Sequence, residues 1–390
     1  SRVYYTEATR GEANGAQSYT GFLPTPVFSK MGLYHDQPFS LTITCDAPDA
    51  TIHYTLDGSE PTEASPVYTG PLTIQENTPV RAKAFGGGLL SSDVATATYL
   101  FETPHTLPVV CLSAQSDDWD AMYSVTERKL RVEKPGHFAY YETDGTLGTA
   151  FGCGLRASGS STLLARQKSV AVFLRGAYGQ SETNYPFFTD SDVTVFSSLV
   201  LRNSGQDRDK ARLRDSFFSK AVKGLNMEYA ETRLVILYVN GQYWGIYDLN
   251  ENQNEDYMAA HYGVDPDAVD IIRRNIEALA GRNSENKRVR AWALATDTSD
   301  PDKYAEYIQW VDPDYFIDYL IAQTYFANGD MFNQKYWRSQ DYTVRWRPVY
   351  YDLDLALSSS SPTRNILPNY FNAEGIPSQD GSLTNMDLYV

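Results

Sequence analysis

The chain has 390 residues, with 33 Lys and Arg against 49 Asp and Glu and a formal net charge of −16. That charge repels an unassisted polyanion, which argues against nucleic acid or an anionic membrane as partner, and the length exceeds what one core fills, so two domains are expected. Hydrophobic residues make up 42% and aromatics 13%, with 29 tyrosines, which is ample material for packed cores. Cys45, Cys111 and Cys153 are widely spaced and odd in number, so they form neither a disulfide framework nor a metal-knuckle spacing. No apolar run approaches the roughly 18 residues of a spanning helix. No charged-then-apolar leader precedes Ser1, so any export signal is expected to have been removed already.

Residues 1–23 read as an N-terminal extension. From Pro24 to about Thr103 the sequence consists of short β-rich runs cut by turn residues: PFSLTITC, TIHYTLDGSEPT, PLTIQENTPVRAKAF and SDVATATYLF. Alternation in TIHYTL and VRAKAF marks half-buried strands, Asp57-Gly58 and Glu60-Pro61 mark turns, and no helical period occurs. An immunoglobulin-like antiparallel β-sandwich over 24–103 is predicted, with Cys45 a buried strand thiol. The stretch YTLDGSEPT with the downstream PVYTGPL resembles the small module at the C-terminus of chitobiase and hexosaminidase enzymes. That resemblance implies a spacer or adhesion role rather than a catalytic one.

After the linker TPHTLP the pattern becomes mixed, and residues 104–390 read as one α+β domain with a sheet-rich first half and a helical second half. Strand-like runs are LPVVCLS, HFAYYET, KSVAVFLR, VTVFSSLVLR and TRLVILYV. In ARLRDSFFSKAVKGL, the residues Leu213, Phe217, Phe218, Ala221, Val222 and Leu225 recur at helical spacing. Arg214 falls at the edge of that stripe and needs a partner, for which Asp215 is the expected one. In DPDYFIDYLIAQTYFANG, Asp312 is the expected N-cap and Pro313 the first helical residue. Phe316, Leu320 and Phe326 face inward, and Asn328-Gly329 is a left-handed stop.

Asp330 then emerges just after a helix end. QKYWR and TVRWRPVYYDLDLAL read as two strands joined by the turn around 339–342. In the second, Val349, Tyr351, Leu353 and Leu355 alternate with Tyr350, Asp352 and Asp354, so a regular strand projects both carboxylates from one face. The hairpin brings Asn333 close to Asp352, and Asp330, Asn333 and Asp352 are expected to converge. Two carboxylates and a carboxamide oxygen are hard ligands or proton acceptors, of the type that holds Mg²⁺ together with water and phosphates. An acid left uncoordinated can orient an attacking hydroxyl.

These residues, with LRNSGQDRDKARLRDSFFSKAVKGL, LYVNGQYWGIYDLNENQNEDYMAAHYG and GCGLRASGSSTLLARQKSVAVFLRGAYG upstream, resemble the CotH kinase family, the spore-coat-protein-H-like atypical protein kinases. The matches run in order from about residue 107 to 357. The resemblance implies an atypical protein-kinase-like, two-lobed domain that uses ATP with Mg²⁺ or Mn²⁺. It implies that Lys168 reaches the α/β phosphates and that Arg156, Gly159, Ser160 and Ser161 form a covering loop. By the same resemblance Asp330 orients the acceptor hydroxyl, Asn333 and Asp352 carry the metal, Asp354 adds a second metal contact or a loop hydrogen bond, and Glu251 lies near the nucleotide. The implied partners are a nucleotide and a secreted or cell-surface protein substrate, and the implied setting is bacterial and outside the cytoplasm. In the family the stretch after Leu357 leads into further helices, so the resemblance implies either a truncated domain or a C-terminus shorter than usual.

Blander readings stand beside these. Lys168 reads equally as a solvated strand-end charge, Asp330 as a turn cap, and Asp352 with Asp354 as partners of Arg345 or Arg347. Two residues separate Asp330 from Asn333, one fewer than in many family members, which leaves an inactive surface-binding pseudokinase as an alternative. A glycoside hydrolase using Asp330 and Asp352 as acid and base is a further alternative, although no barrel repeat is present and Lys168 and Asn333 would have no role in it.

Overall fold

The structure is a computed structural model that describes residues 3–5, 18–274, 277–330, 333–358 and 366, together with the backbone of 376–377 and 383–384. Most of the expected N-terminal extension and nearly all of the polar C-terminal stretch lie outside the described residues. Strands and helices are mixed along the chain. The chain divides into two compact units, Ser1–Ser181 with Leu234–Tyr247, and Glu182–Arg233 with Asp248–Val390.

In the first unit, residues 18–103 contain strands and no helix, as the short alternating runs require. A four-stranded sheet takes the order Leu33–Tyr34, Ala95–Leu100, Thr78–Gly86, Ala50–Thr55, and the pairs Val27–Phe28 with Ile43–Thr44 and Phe39–Leu41 with Leu72–Ile74 complete the strands. The inward residues Leu41, Ile43, Ile74, Val80, Ala82, Ala97 and Tyr99 form the core between them. Cys45 falls after the strand Ile43–Thr44, only partly buried, with its thiol directed at Pro24 O. The buried strand thiol is therefore corrected: the strand ends one residue too soon.

Beyond residue 103, Val109–Ser113 pairs antiparallel with Lys134–Tyr141 and parallel with the end of Thr232–Val239. Lys134–Tyr141 continues into Leu147–Ser158, and that strand into Ser169–Phe173. Helix α1, Ser116–Tyr123, packs beside them. The sandwich and these strands share one apolar cluster, in which Leu33 and Leu100 meet Val109, Cys111, Ala139, Tyr141, Ile236 and Tyr238. Tyr238 also donates to Glu102 at 2.6 Å, and Asn240, at the head of the Asn240-Gly241 hairpin turn, bonds both backbone groups of Ala114 at 2.9 Å. Within this unit the module is an integral packing partner.

The second unit carries the helices α2 (Arg214–Ala221), α3 (Glu255–Tyr262), α4 (Ser284–Ala295), α5 (Pro301–Tyr307) and α6 (Pro313–Tyr325). Ser198–Arg202 runs antiparallel to the end of Gln242–Glu251. Glu277–Ala280, Val269–Arg273, Lys335–Ser339 and Arg347–Pro348 form an antiparallel sheet in that order. Helix α6 begins as its sequence dictates, with Asp312 accepting from Tyr315 N at 3.3 Å and Pro313 in the first turn. Phe316 is buried there, and Phe326, partly buried, packs on the cluster of Phe218, Val222, Tyr315, Tyr319, Tyr350 and Leu353. Leu320 packs, partly buried, on the cluster of Ile272, Val311, Phe316 and Trp346.

Two helical expectations are corrected. In α2, Leu213, Phe217 and Leu225 are exposed at 47%, 64% and 42%, whereas Asp215, Phe218, Ser219 and Val222 are buried. The helix is thus turned to carry Asp215 inward, because that carboxylate accepts Leu353 N at 2.7 Å and pairs with Arg202 at 2.9 Å. After α6 the left-handed residue is Ala327, at φ 45°, and Asn328 is buried with its amide on Gln323 at 2.9 Å. A buried side-chain bond, rather than glycine, ends the helix.

Truncating Leu100, which is fully buried at the shared cluster, to Ala is expected to cost about 2–5 kcal/mol. Thermal unfolding followed by circular dichroism should show the sandwich and the neighbouring strands melting together in one lowered transition. Two separated transitions would refute the shared core.

Candidate active site

The hairpin after α6 builds the site. Asn328 Oδ1 accepts from Asp330 N at 3.1 Å, and Asn333 N donates to Asp330 O at 3.1 Å, so the short loop carrying Asp330 is closed at both ends. Tyr336 pairs with Pro348 and Trp337 with Arg347, and Val349 N donates to Lys335 O at 2.9 Å. This register puts Asn333 beside Asp352: Asn333 Nδ2 donates to Asp352 Oδ2, while Tyr351 OH donates to Asn333 Oδ1 at 3.0 Å.

The regular strand expected through 348–355 is not present. The second arm pairs only over Arg347–Pro348, and Asp352 is left-handed at φ 61°. The two carboxylates therefore do not share a strand face; they leave a turn in different directions. Asp352 Oδ1 meets Arg202 Nη2 at 3.2 Å. Asp354 is buried, and its Oδ2 accepts Gln206 N at 2.7 Å. Gly205, at φ 52°, is required there, since a Cβ would overlap Asp354 Oδ2.

The ion pairs differ from the sequence reading as well. Arg345 and Arg347 both go to Asp312, at 3.4 and 2.7 Å, and leave Asp352 and Asp354 to other partners. Arg214 pairs with Asp207, and Asp215 with Arg202. Sequence reasoning thus gave no site role to Arg202, Gly205, Gln206 and Asp248, and named Asp215 only as the partner of Arg214. All but Asp248 lie in the LRNSGQDRDKARLRD run, whose resemblance to the family was the available signal but assigned no role to these residues.

Acids outnumber their counter-charges here. Burial, reinforced by Asp352, pushes Asp354 up to about 7 and Asp330 up to about 6, and burial next to Asp215 pushes Asp248 up to about 6. Lys335, 4.0 Å above the Tyr351 ring, is lowered to about 8 by burial against the pull of Asp352. Asp354 Oδ1 and Asp248 Oδ1 are buried without a hydrogen-bond partner among the described residues. An unpartnered buried carboxylate oxygen beside Asp352 and a carboxamide suits a hard divalent cation that keeps waters and phosphates for its remaining positions. Among the described residues no three His, Cys, Asp or Glu side chains are grouped so that they could hold a metal ion by themselves.

The remaining predicted residues are located as follows. Lys168 directly precedes the strand Ser169–Phe173 and is 7% exposed, which excludes the solvated-charge reading. Its amine donates to Val125 O at 2.7 Å, and burial lowers its proton affinity. Arg156 lies over the Phe173 ring at 4.5 Å, and Ser160 and Ser161 are exposed after Gly159, which has φ 112°. These five residues belong to the first unit; Asp330, Asn333, Asp352, Asp354 and Glu251 belong to the second. Glu251 is buried with both oxygens engaged, one accepting Glu231 N at 2.8 Å and the other facing His261 Nε2 at 2.9 Å.

The raised proton affinities have a signed consequence. The folded protein binds more protons at Asp354 and Asp330 than the unfolded chain does from about pH 4 to about pH 7, so their contribution to stability declines as pH rises through that window. Asp354→Asn removes one such group while leaving an oxygen for Gln206 N. In chelator, its melting temperature relative to the unsubstituted protein should climb between about pH 4 and pH 7 and level off above. A pH-independent difference would contradict the assignment.

Comparison with known families agrees with the order of these elements. A family model described as CotH kinase protein matches residues 155–384, and one described as Fn3 associated matches residues 41–99. No curated protein matches the chain. Among the described residues no helix is long and apolar enough to cross a membrane. The CotH match covers more than half of the sequence and includes every residue of the acid cluster, so the chain belongs to the CotH kinase family, a kinase-like protein whose family implies a nucleotide partner.

Proposed function

We propose that the chain transfers the γ-phosphoryl group of ATP, with Mg²⁺ or Mn²⁺, to hydroxyl groups of secreted or cell-surface bacterial proteins. The observation that carries this reading is the gathering of Asp330, Asn333 and Asp352 by one hairpin, with Asp354 buried behind them. Phosphoryl transfer asks a protein mainly for positioning and charge neutralisation, and this donor set supplies oxygens for both. When bound, the cation would neutralise phosphate charge, held by Asp352 and Asn333 with Asp354 adding a further oxygen.

Asp330 suits the proton acceptor. Its carboxyl is pushed up to about 6 by burial and Asp352 against the opposing pull of Arg274, near the range in which a general base works best. In the step, the acceptor hydroxyl oxygen bonds to the γ-phosphorus, its proton passes to the Asp330 carboxylate, and the bond from the γ-phosphorus to the β–γ bridging oxygen breaks to release ADP. Lys168, withheld from solvent and with burial favouring its neutral form, gains from an anionic partner, which supports its role at the α/β phosphates. Arg156 and the Gly159–Ser161 loop are assigned to the phosphates, and Glu251 to the framework near the nucleotide.

The test is thermal unfolding with ATP and Mg²⁺, then with either alone, alongside labelled-phosphate transfer to secreted protein acceptors. A ligand that binds only the native state at a hundred times its dissociation constant stabilises by about 2.7 kcal/mol. Stabilisation by the pair, lost in Asp352→Ala, is expected. Asp330→Asn should keep that stabilisation and lower transfer by about 10²- to 10⁴-fold. Stabilisation without transfer identifies a pseudokinase, stabilisation by oligosaccharide alone a glycoside hydrolase, and no response to any of them a binder outside both classes.

A further inference from the structure

The acids of the second unit are not held by the hairpin alone. Arg202, the last residue of the strand Ser198–Arg202, forms an ion pair with Asp215, Nε to Oδ2 at 2.9 Å though outside hydrogen-bond geometry, and donates from Nη2 to Asp352 Oδ1 at 3.2 Å. The other oxygen of Asp215 accepts Leu353 N at 2.7 Å. These contacts close a ring: carboxylate to guanidinium, guanidinium to Asp352, and the next backbone amide back to the first carboxylate. A planar guanidinium can bridge two carboxylates in this way, whereas an ammonium offers a single point of charge.

Two further features mark the ring as more than a tie between α2 and a strand. The pair with Asp215 would by itself serve that tie, yet the guanidinium also covers the one acid that sits in a left-handed conformation, a geometry that costs on the order of 1 kcal/mol or more for a non-glycine residue. Asp354 Oδ1, in the field of Asp352 and Arg202, remains buried without a partner, so the guanidinium does not satisfy the cluster.

We infer that Arg202, braced by Asp215, is a positioning residue for the proposed phosphoryl transfer: it holds Asp352 in its left-handed turn and neutralises it until a divalent cation takes over that charge. The inference rests on the reading of this site as that of a cation-dependent kinase. Arg202 touches neither substrate nor reacting atoms; it acts through Asp352. Because it and the cation are like charges sharing one carboxylate, it also sets how much cation is needed to load the site.

The experiment uses the full chain, stripped with chelator and titrated with MgCl₂ without nucleotide, following the melting temperature. Arg202→Gln is expected to melt lower than the unsubstituted protein in chelator, because Asp215 loses its partner. Its half-saturating Mg²⁺ concentration should fall about tenfold, the scale of one lost charged contact. Arg202→Lys should fall between the two proteins. Asp215→Asn, which keeps an oxygen for Leu353 N but releases Arg202 toward Asp352, should shift half-saturation the other way, to higher Mg²⁺. Arg273→Gln, which removes a nearby positive charge outside the ring, should leave it unchanged.

A lower melting temperature for Arg202→Gln with unaltered half-saturation would make the ring a structural ion pair and overturn the inference. If Arg202→Gln does not fold, unaltered half-saturation in both Arg202→Lys and Asp215→Asn overturns it equally. A shift in Arg273→Gln as large as that in Arg202→Gln would reduce the effect to bulk charge and overturn it too. An unsubstituted protein that does not respond to Mg²⁺ at all removes the cation reading of the site as well, whereas a responding protein with unresponsive variants removes only the role of Arg202.

Discussion

The constraint on which the site depends is the left-handed backbone at Asp352, fixed by contacts from three separate stretches of chain. Arg202 comes from a strand, Asp215 from α2, and Asn333 from the opposite arm of the hairpin. An extended residue at 352 would keep the strand alternation and send Asp354 to the same face. The turn instead sends Asp354 down onto the backbone of Gln206, where only glycine at 205 leaves room. Local backbone cost is thereby converted into the placement of two carboxylates, as expected where the surrounding structure over-determines a conformation.

The rest of the second unit can be understood as support for that turn. Tyr350 and Leu353 anchor its two ends in the cluster with Phe218, Tyr315 and Tyr319, so the helices α2 and α6 grip the residues on either side of Asp352. Asp312, which starts α6, takes both Arg345 and Arg347, and so removes two guanidinium groups that would otherwise compete for the acids downstream. The buried Asn328 ties the end of α6 to Asp352 O at 3.4 Å and to Asp330 N. One helix is thus fixed at its start by an ion pair and at its end by a carboxamide, and both ends bear on the same hairpin.

How far the sequence made this legible depended on whether the signal was local. The cap at Asp312, the proline after it, the helix through Tyr325, the strand Lys335–Ser339 and the approach of Asn333 to Asp352 all follow from residues within about a hairpin's length of one another. The sandwich was readable for the same reason, since alternation is a nearest-neighbour property. The reading failed where distant partners decided the outcome. Of the apolar residues that suggested the buried face of α2, Phe218 and Val222 are buried but Leu213, Phe217 and Leu225 are exposed, because the helix is rotated to bring Asp215 to Arg202 and to Leu353 N, about 140 positions further on. The alternation in VYYDLDL was real in composition but lost to the turn, and nothing near Asp352 in the chain indicated that Arg202 would reach it.

The balance of charge bears on why such a cluster is kept. Replacing a buried ion pair by well-packed apolar residues is often neutral or stabilising, so stability alone gives little reason to hold Asp215, Asp248, Asp330, Asp352 and Asp354 around so few cations. The raised proton affinities of three of them record that strain, and the oxygens of Asp248 and Asp354 that have no hydrogen-bond partner among the described residues show where it is unrelieved. Carboxyls perturbed by burial together with a specific charged partner are candidates for a functional site. On the proposed reading, a divalent cation at Asp352 would offset the negative charge that helps to raise Asp330 and Asp354. On that reading, occupation of the site and relief of its strain would be one event, and Arg202, the ion-pair partner of Asp352 among the described residues, would set the threshold at which it happens.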